Sequence, residues 1–79
     1  MFYSALLVTA QTGAMAKARE GVVKKGLEVF QEDEALERFI AVAELETPAG
    51  AAELFRELLE LPGVRDVSLV QTQEEEAGA

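Results

Sequence analysis

The sequence contains neither cysteine nor histidine. Without cysteine there is no disulfide framework, no thiol nucleophile and no cysteine-ligated zinc or iron–sulfur site. Without histidine the commonest general base and the imidazole metal ligand are missing too. Catalysis would fall to carboxylates alone, so the composition points away from an enzyme and toward a protein with no cofactor and no bound metal. Long apolar runs are also absent: none approaches the about 20 residues that span a bilayer, and no membrane insertion is expected. Met1 to Ala10 is apolar but lacks the charged start and small-residue cleavage site of a secretory signal, so it reads as a strand and the location as cytoplasmic.

Positive charge is scarce. Seven Lys and Arg stand against 15 Asp and Glu, a net charge of -8. The imbalance is local: Lys17, Arg19, Lys24 and Lys25 outweigh Glu20 in the first third, and acids dominate from Glu28 onward. Nucleic-acid binding rests on neutralising phosphates, which this balance disfavours. A basic partner fits better, because opposite charge speeds encounter and rejects wrong partners.

Phe2 to Ala10 is apolar on both alternating faces, the pattern of a central strand. Gln11-Thr12-Gly13 is a turn with Thr12 as the candidate N-cap, and Met15, Ala18 and Val22 then recur at helical spacing over residues 14–25. Lys24, Lys25 and Gly26 form a favourable helix end. Leu27 to Glu32 and Leu36 to Glu46 read as strands joined by a hairpin at Asp33-Glu34-Ala35. Thr47-Pro48 marks the start of a second helix with Ala51, Phe55, Leu58 and Leu59 on its buried stripe, and Leu61-Pro62-Gly63 ends it. Val64 to Thr72 is a last strand. One domain over residues 1–73 is expected, with residues 74–79 a disordered acidic tail.

Strand, helix, strand, strand, helix, strand is the ferredoxin-like order. It predicts an α+β βαββαβ sandwich, a four-stranded antiparallel sheet in the order 4-1-3-2, with both helices on one face. The other face is left open. Period-two alternation assigns Ala5, Leu7, Thr9, Leu27, Val29, Phe39, Ala41, Ala43, Leu45, Val67 and Leu69 to the helix side. It leaves Leu6, Val8, Phe30, Ile40, Val42 and Val70 as an apolar patch on the open face, rimmed by Glu28, Glu32 and Glu44. Such a patch marks an interaction surface, whose competing occupant is a second copy of the chain in a homodimer. Asp33, Glu34 and Glu37 lack the ligand spacing of a calcium loop and read as a solvated hairpin. Glu57 and Glu60 read as a solubilising helix surface.

Gly63-Val64, then Val67-Ser68-Leu69-Val70 and a Gln- and Glu-rich tail, resemble the end of the NapD family. Ser4-Ala5-Leu6-Leu7-Val8, Gly26-Leu27-Glu28-Val29 and Ile40-Ala41-Val42-Ala43-Glu44 resemble its first three strands, so the likeness covers about the whole chain. Gln71 departs from it, standing where an aromatic residue is common. The resemblance implies a cytoplasmic chaperone that binds, as a helix on the open sheet face, the twin-arginine signal peptide of an exported molybdoenzyme of the nitrate reductase type, and delays export until maturation. In that role Leu6, Val8, Phe30, Ile40, Val42 and Val70 would cover the apolar segment, and Glu28, Glu32 and Glu44 would meet the arginines. The alternative is a stand-alone ACT or Lrp-effector-like domain binding a small ligand as a homo-oligomer, which Leu61-Pro62-Gly63-Val64 also resembles. A small dimeric enzyme, with Tyr3 as its only phenol, ranks third.

Overall fold

The computed structural model of the chain describes residues 2–47 and 49–74, and for residues 72–74 the backbone alone. Its elements are β1 (Phe2–Ala10), α1 (Met15–Lys24), β2 (Glu28–Asp33), β3 (Arg38–Leu45), α2 (Gly50–Leu59) and β4 (Val64–Glu74). The strands form one antiparallel sheet in the order β2-β3-β1-β4. This is the ferredoxin-like arrangement that the element order predicts. Residues 75–79 of the expected tail lie outside the described residues, and Glu74, assigned to that tail, is instead the last residue of β4 and pairs with Phe2.

Both helices cover one face. Ala18 and Val22 of α1 and Leu58 of α2 share a single core with Leu6 and Val8 of β1, Phe39, Ala41 and Ala43 of β3, and Val64 and Val67 of β4. The stripe of α2 is Ala51, Leu54, Phe55 and Leu58, whereas Leu59 is exposed. Neither threonine caps a helix: the N-caps are Ala14 and Ala49, without side-chain cap bonds. Pro48, expected as the first helical residue, is not among the described residues.

The end of α1 explains why β2 starts where it does. Gly26 has φ +91; its N–H donates to the Val23 carbonyl at 2.9 Å, and that of Leu27 to the Val22 carbonyl at 3.4 Å. These are the paired bonds of a Schellman end, and the accompanying apolar contact is supplied by Val22 and Leu27, both buried. At the other crossover the Val64 N–H donates to the Leu61 carbonyl at 3.2 Å around Pro62 and Gly63 (φ +85), the residues and glycine conformation of a type II turn.

The phase of β1 differs from expectation. Ser4, Leu6, Val8 and Ala10 point into the core, with Leu6 1% and Val8 0% exposed, while Ala5, Leu7 and Thr9 lie on the open face. Leu6 and Val8 are therefore not members of the exposed patch. The cause is packing against β3, where Leu6 lies opposite Ala41 and Val8 opposite Phe39. Bulky β1 side chains fill the space that the two alanines of β3's inner row, Ala41 and Ala43, leave beneath the helices.

The hairpin also turns later than expected, at residues 34–37. The Asp33 carboxylate accepts the Leu36 N–H, three residues on, at 3.2 Å, and so braces the turn from its first residue. Leu36 is thus an exposed turn residue and not the first residue of β3.

Candidate functional site

No described element covers the second face of the sheet, and strand register arranges its residues in rows. Phe30, Ile40, Leu7 and Ser68 run across β2, β3, β1 and β4; the next row is Glu28, Val42, Ala5 and Gln71. Rows two residues apart are separated by about 7 Å and adjacent strands by about 5 Å. The apolar part, Phe30-Ile40-Leu7 with Val42 and Ala5, is therefore about 10 Å across, close to the diameter of one α-helix. Ile40, Val42, Leu7 and Ala5 are half-buried by one another, and Phe30 is 47% exposed at the β2 edge.

Carboxylates flank this patch at both ends. Glu28 borders Val42, and Glu44 lies opposite Tyr3 one row further on. At the hairpin end Arg38 lies between Thr9 of β1 and Asp33 of β2, with Asp66 across from Thr9. Glu28, Glu44 and Asp66 are exposed and form no ion pair with another described residue. They are free to meet cationic groups on a docked molecule.

Glu32, expected on this rim, is elsewhere. Gln31 and Glu32 together oppose Phe39, a bulge with Gln31 at φ +48, so Asp33 takes the place opposite Arg38. The Glu32 carboxylate instead accepts a bond from the Arg19 guanidinium at 3.1 Å. That ties β2 to α1 on the helix side of the sheet. Val70 is the extra residue of a second bulge, between Leu69 opposite Leu6 and Gln71 opposite Ala5, and is 56% exposed. Leu69 faces the helix layer by register yet is 53% exposed, because the β4 edge is only partly covered.

Of the nine residues expected at the site, Phe30, Ile40, Val42, Glu28 and Glu44 are brought together on the open face. Leu6, Val8 and Glu32 are not, and Val70 sits at the β4 edge. Leu7, Ala5 and Asp66 were missed. Asp66 has the same parity as Ser68 in β4 and was legible from alternation; Leu7 was not.

No family model and no curated protein matches the chain. Among solved structures, the solution structure of the E. coli Tat proofreading chaperone protein NapD superposes on it with a TM-score of 0.68 and 25% identity, over 99% of this chain and 84% of that one. The chain is similar to NapD. The NapD likeness bears out the resemblance carried by the four strand sequences, and it extends over both helices as well as the sheet. That neighbour is a chaperone. No helix among the described residues is long and apolar enough to cross a membrane.

Proposed function

We propose that the chain is a cytoplasmic proofreading chaperone that binds the twin-arginine signal peptide of an exported molybdoenzyme of the nitrate reductase type. The observation that carries this reading is the row Phe30-Ile40-Leu7, helix-wide, covered by no described element and flanked by carboxylates that form no ion pair among the described residues, on a fold similar to a Tat proofreading chaperone. A twin-arginine signal has a basic start with two consecutive arginines followed by a moderately apolar helix-forming segment. The segment would lie on Leu7, Ile40, Val42 and Phe30, a helix-in-groove mode of recognition. The arginines would pair with Glu28 and Glu44, since Arg–carboxylate bonds are charge-assisted and orienting. Holding the signal peptide hides it from export until the client is mature. No group transfer is required, so the role needs no cofactor.

Titration calorimetry of the full chain against a synthetic twin-arginine peptide tests the reading. Saturable 1:1 binding that is lost when the two arginines are replaced by glutamine is expected. If the chain shows no binding and Ile40→Asp converts a stable dimer into monomers, the open face is a dimer interface and the chaperone reading fails.

A further inference from the structure

The two ends of the open face carry opposite charge. The outward residues of β3 are, in order, Arg38, Ile40, Val42 and Glu44, and beside them on β1 stand Thr9, Leu7, Ala5 and Tyr3. The two strands thus form a lane that is apolar in its middle, with a cation at the hairpin end and a carboxylate at the other. Glu28, next to Val42, adds a second carboxylate at the Glu44 end. Arg38 and Glu44 are exposed, and neither forms an ion pair with another described residue. Asp33, opposite Arg38, is turned to the Leu36 N–H instead. Asp66 lies two strands from Arg38, about 10 Å away, a separation at which exposed charges are largely screened. Next to Arg38 a hollow of about 760 Å³ opens over Leu7 and Ile40, bounded by the hairpin residues Gln31, Asp33 and Glu34.

On the chaperone reading, on which this rests, we propose that the docked helix runs in one direction only, antiparallel to β3, with its basic start at Glu28 and Glu44 and its C-terminal end in the hollow at Arg38. Two effects of separate origin select that direction. The first is side-chain charge: a segment with a basic start and an apolar remainder sets its arginines against the two carboxylates and away from Arg38. The second is the backbone. A helix carries a partial positive charge at its N-terminus and a partial negative charge at its C-terminus, where the last four carbonyls lack partners. Glu44 favours the first end, and Arg38, with five N–H donors, favours the second. Reversed docking would set arginines against Arg38 and free carbonyls against Glu44, unfavourable on both counts. The lane also has a length. Arg38 and Glu44 bound it at opposite ends of β3, about 20 Å apart at 3.3 Å per strand residue, which a helix covers in about 13 residues. The face therefore suits a segment whose helix ends about 13 residues beyond its basic start, and Arg38 is a positioning residue that fixes where that end sits.

Nuclear magnetic resonance of the full chain, bound to a synthetic twin-arginine peptide with a nitroxide spin label at one end or the other, reads the direction. A label at the N-terminal end is expected to broaden the amides of Tyr3, Glu28 and Glu44 most strongly, and one at the C-terminal end those of Thr9, Arg38 and Asp66. Calorimetry reads the part played by Arg38. A peptide whose helix ends in aspartate should bind about two- to fivefold tighter than one ending in lysine, the range of exposed charge pairs, and Arg38→Glu should reverse that order. Arg38 is exposed, so this variant should keep the native circular dichroism. Interchanged broadening patterns, or equal broadening by both labels, overturn the direction and leave the chaperone reading standing. A wild type with no preference between the two peptide ends, or a preference that survives Arg38→Glu, overturns the role of Arg38. Absence of binding by every peptide overturns the direction together with the chaperone reading.

Discussion

Leu6 and Leu7 are adjacent in β1 and serve opposite sides of the sheet: Leu6 lies opposite Ala41 in the core, and Leu7 lies opposite Ile40 on the open face. Their truncations should therefore separate stability from binding. Leu6→Ala should cost about 2–5 kcal/mol through lost burial and a cavity, a large share of the roughly 5 kcal/mol available to a small domain. Leu7→Ser should cost far less yet weaken peptide binding. Urea denaturation and calorimetry on the same two proteins check the pair, and equal loss of stability in both would mean that β1 is not split this way.

Polar substitution at the centre of the face should act on binding alone. Ile40→Asp and Val42→Asp should keep the native circular dichroism and melting temperature to within a few degrees, and should abolish binding of a twin-arginine peptide.

The two acidic positions Glu44 and Glu32 should differ. Glu44→Lys should weaken peptide binding and flatten its dependence on salt, because exposed charges act through screened long-range attraction. Glu32→Lys should leave that salt dependence unchanged, since its carboxylate is engaged with Arg19 on the other side of the sheet. Its cost in stability should be below about 1 kcal/mol, as for exposed ion pairs. Affinities measured at three salt concentrations distinguish the two.

Gly26 and Gly63 both have positive φ, yet alanine should be tolerated differently. A Cβ at Gly26 meets nothing within 4 Å, so the cost is the left-handed backbone alone, about 1 kcal/mol. At Gly63 it would come within 3.2 Å of the Ala14 carbonyl oxygen and the Ala18 nitrogen, both backbone atoms of the α1 start. Gly63→Ala should therefore lower the denaturation midpoint clearly more than Gly26→Ala.

Strand β3 was legible because its alternation is marked: the set with Ile40 and Val42 has a charge at each end, Arg38 and Glu44, and the set Phe39, Ala41 and Ala43 has none. Gly26 likewise announced its turn. Strand β1 offers no such mark, since each face holds one aromatic, aliphatic residues and a small hydroxyl: Phe2 and Ser4 on one, Tyr3 and Thr9 on the other. Its phase follows from which set fits against Ala41 and Phe39, and that register is a tertiary property. The bulges at Gln31 and Val70 leave no period of their own in the sequence, so Glu32 was counted one residue out of step. Thr12 and Thr47 are good caps by type, but each helix begins three residues beyond its threonine.

Phe2 pairs with Glu74, and β1 lies between β3 and β4. The first strand of the sheet in sequence is thus completed by its last. On the ribosome β1 must wait with one edge open, and its apolar residues incompletely covered, until β4 has emerged. Folding is then dominated by contacts distant in sequence, which makes it slow for a domain of this size. A chain that stops before Val64 keeps that edge open permanently and should aggregate instead of folding to a partial domain.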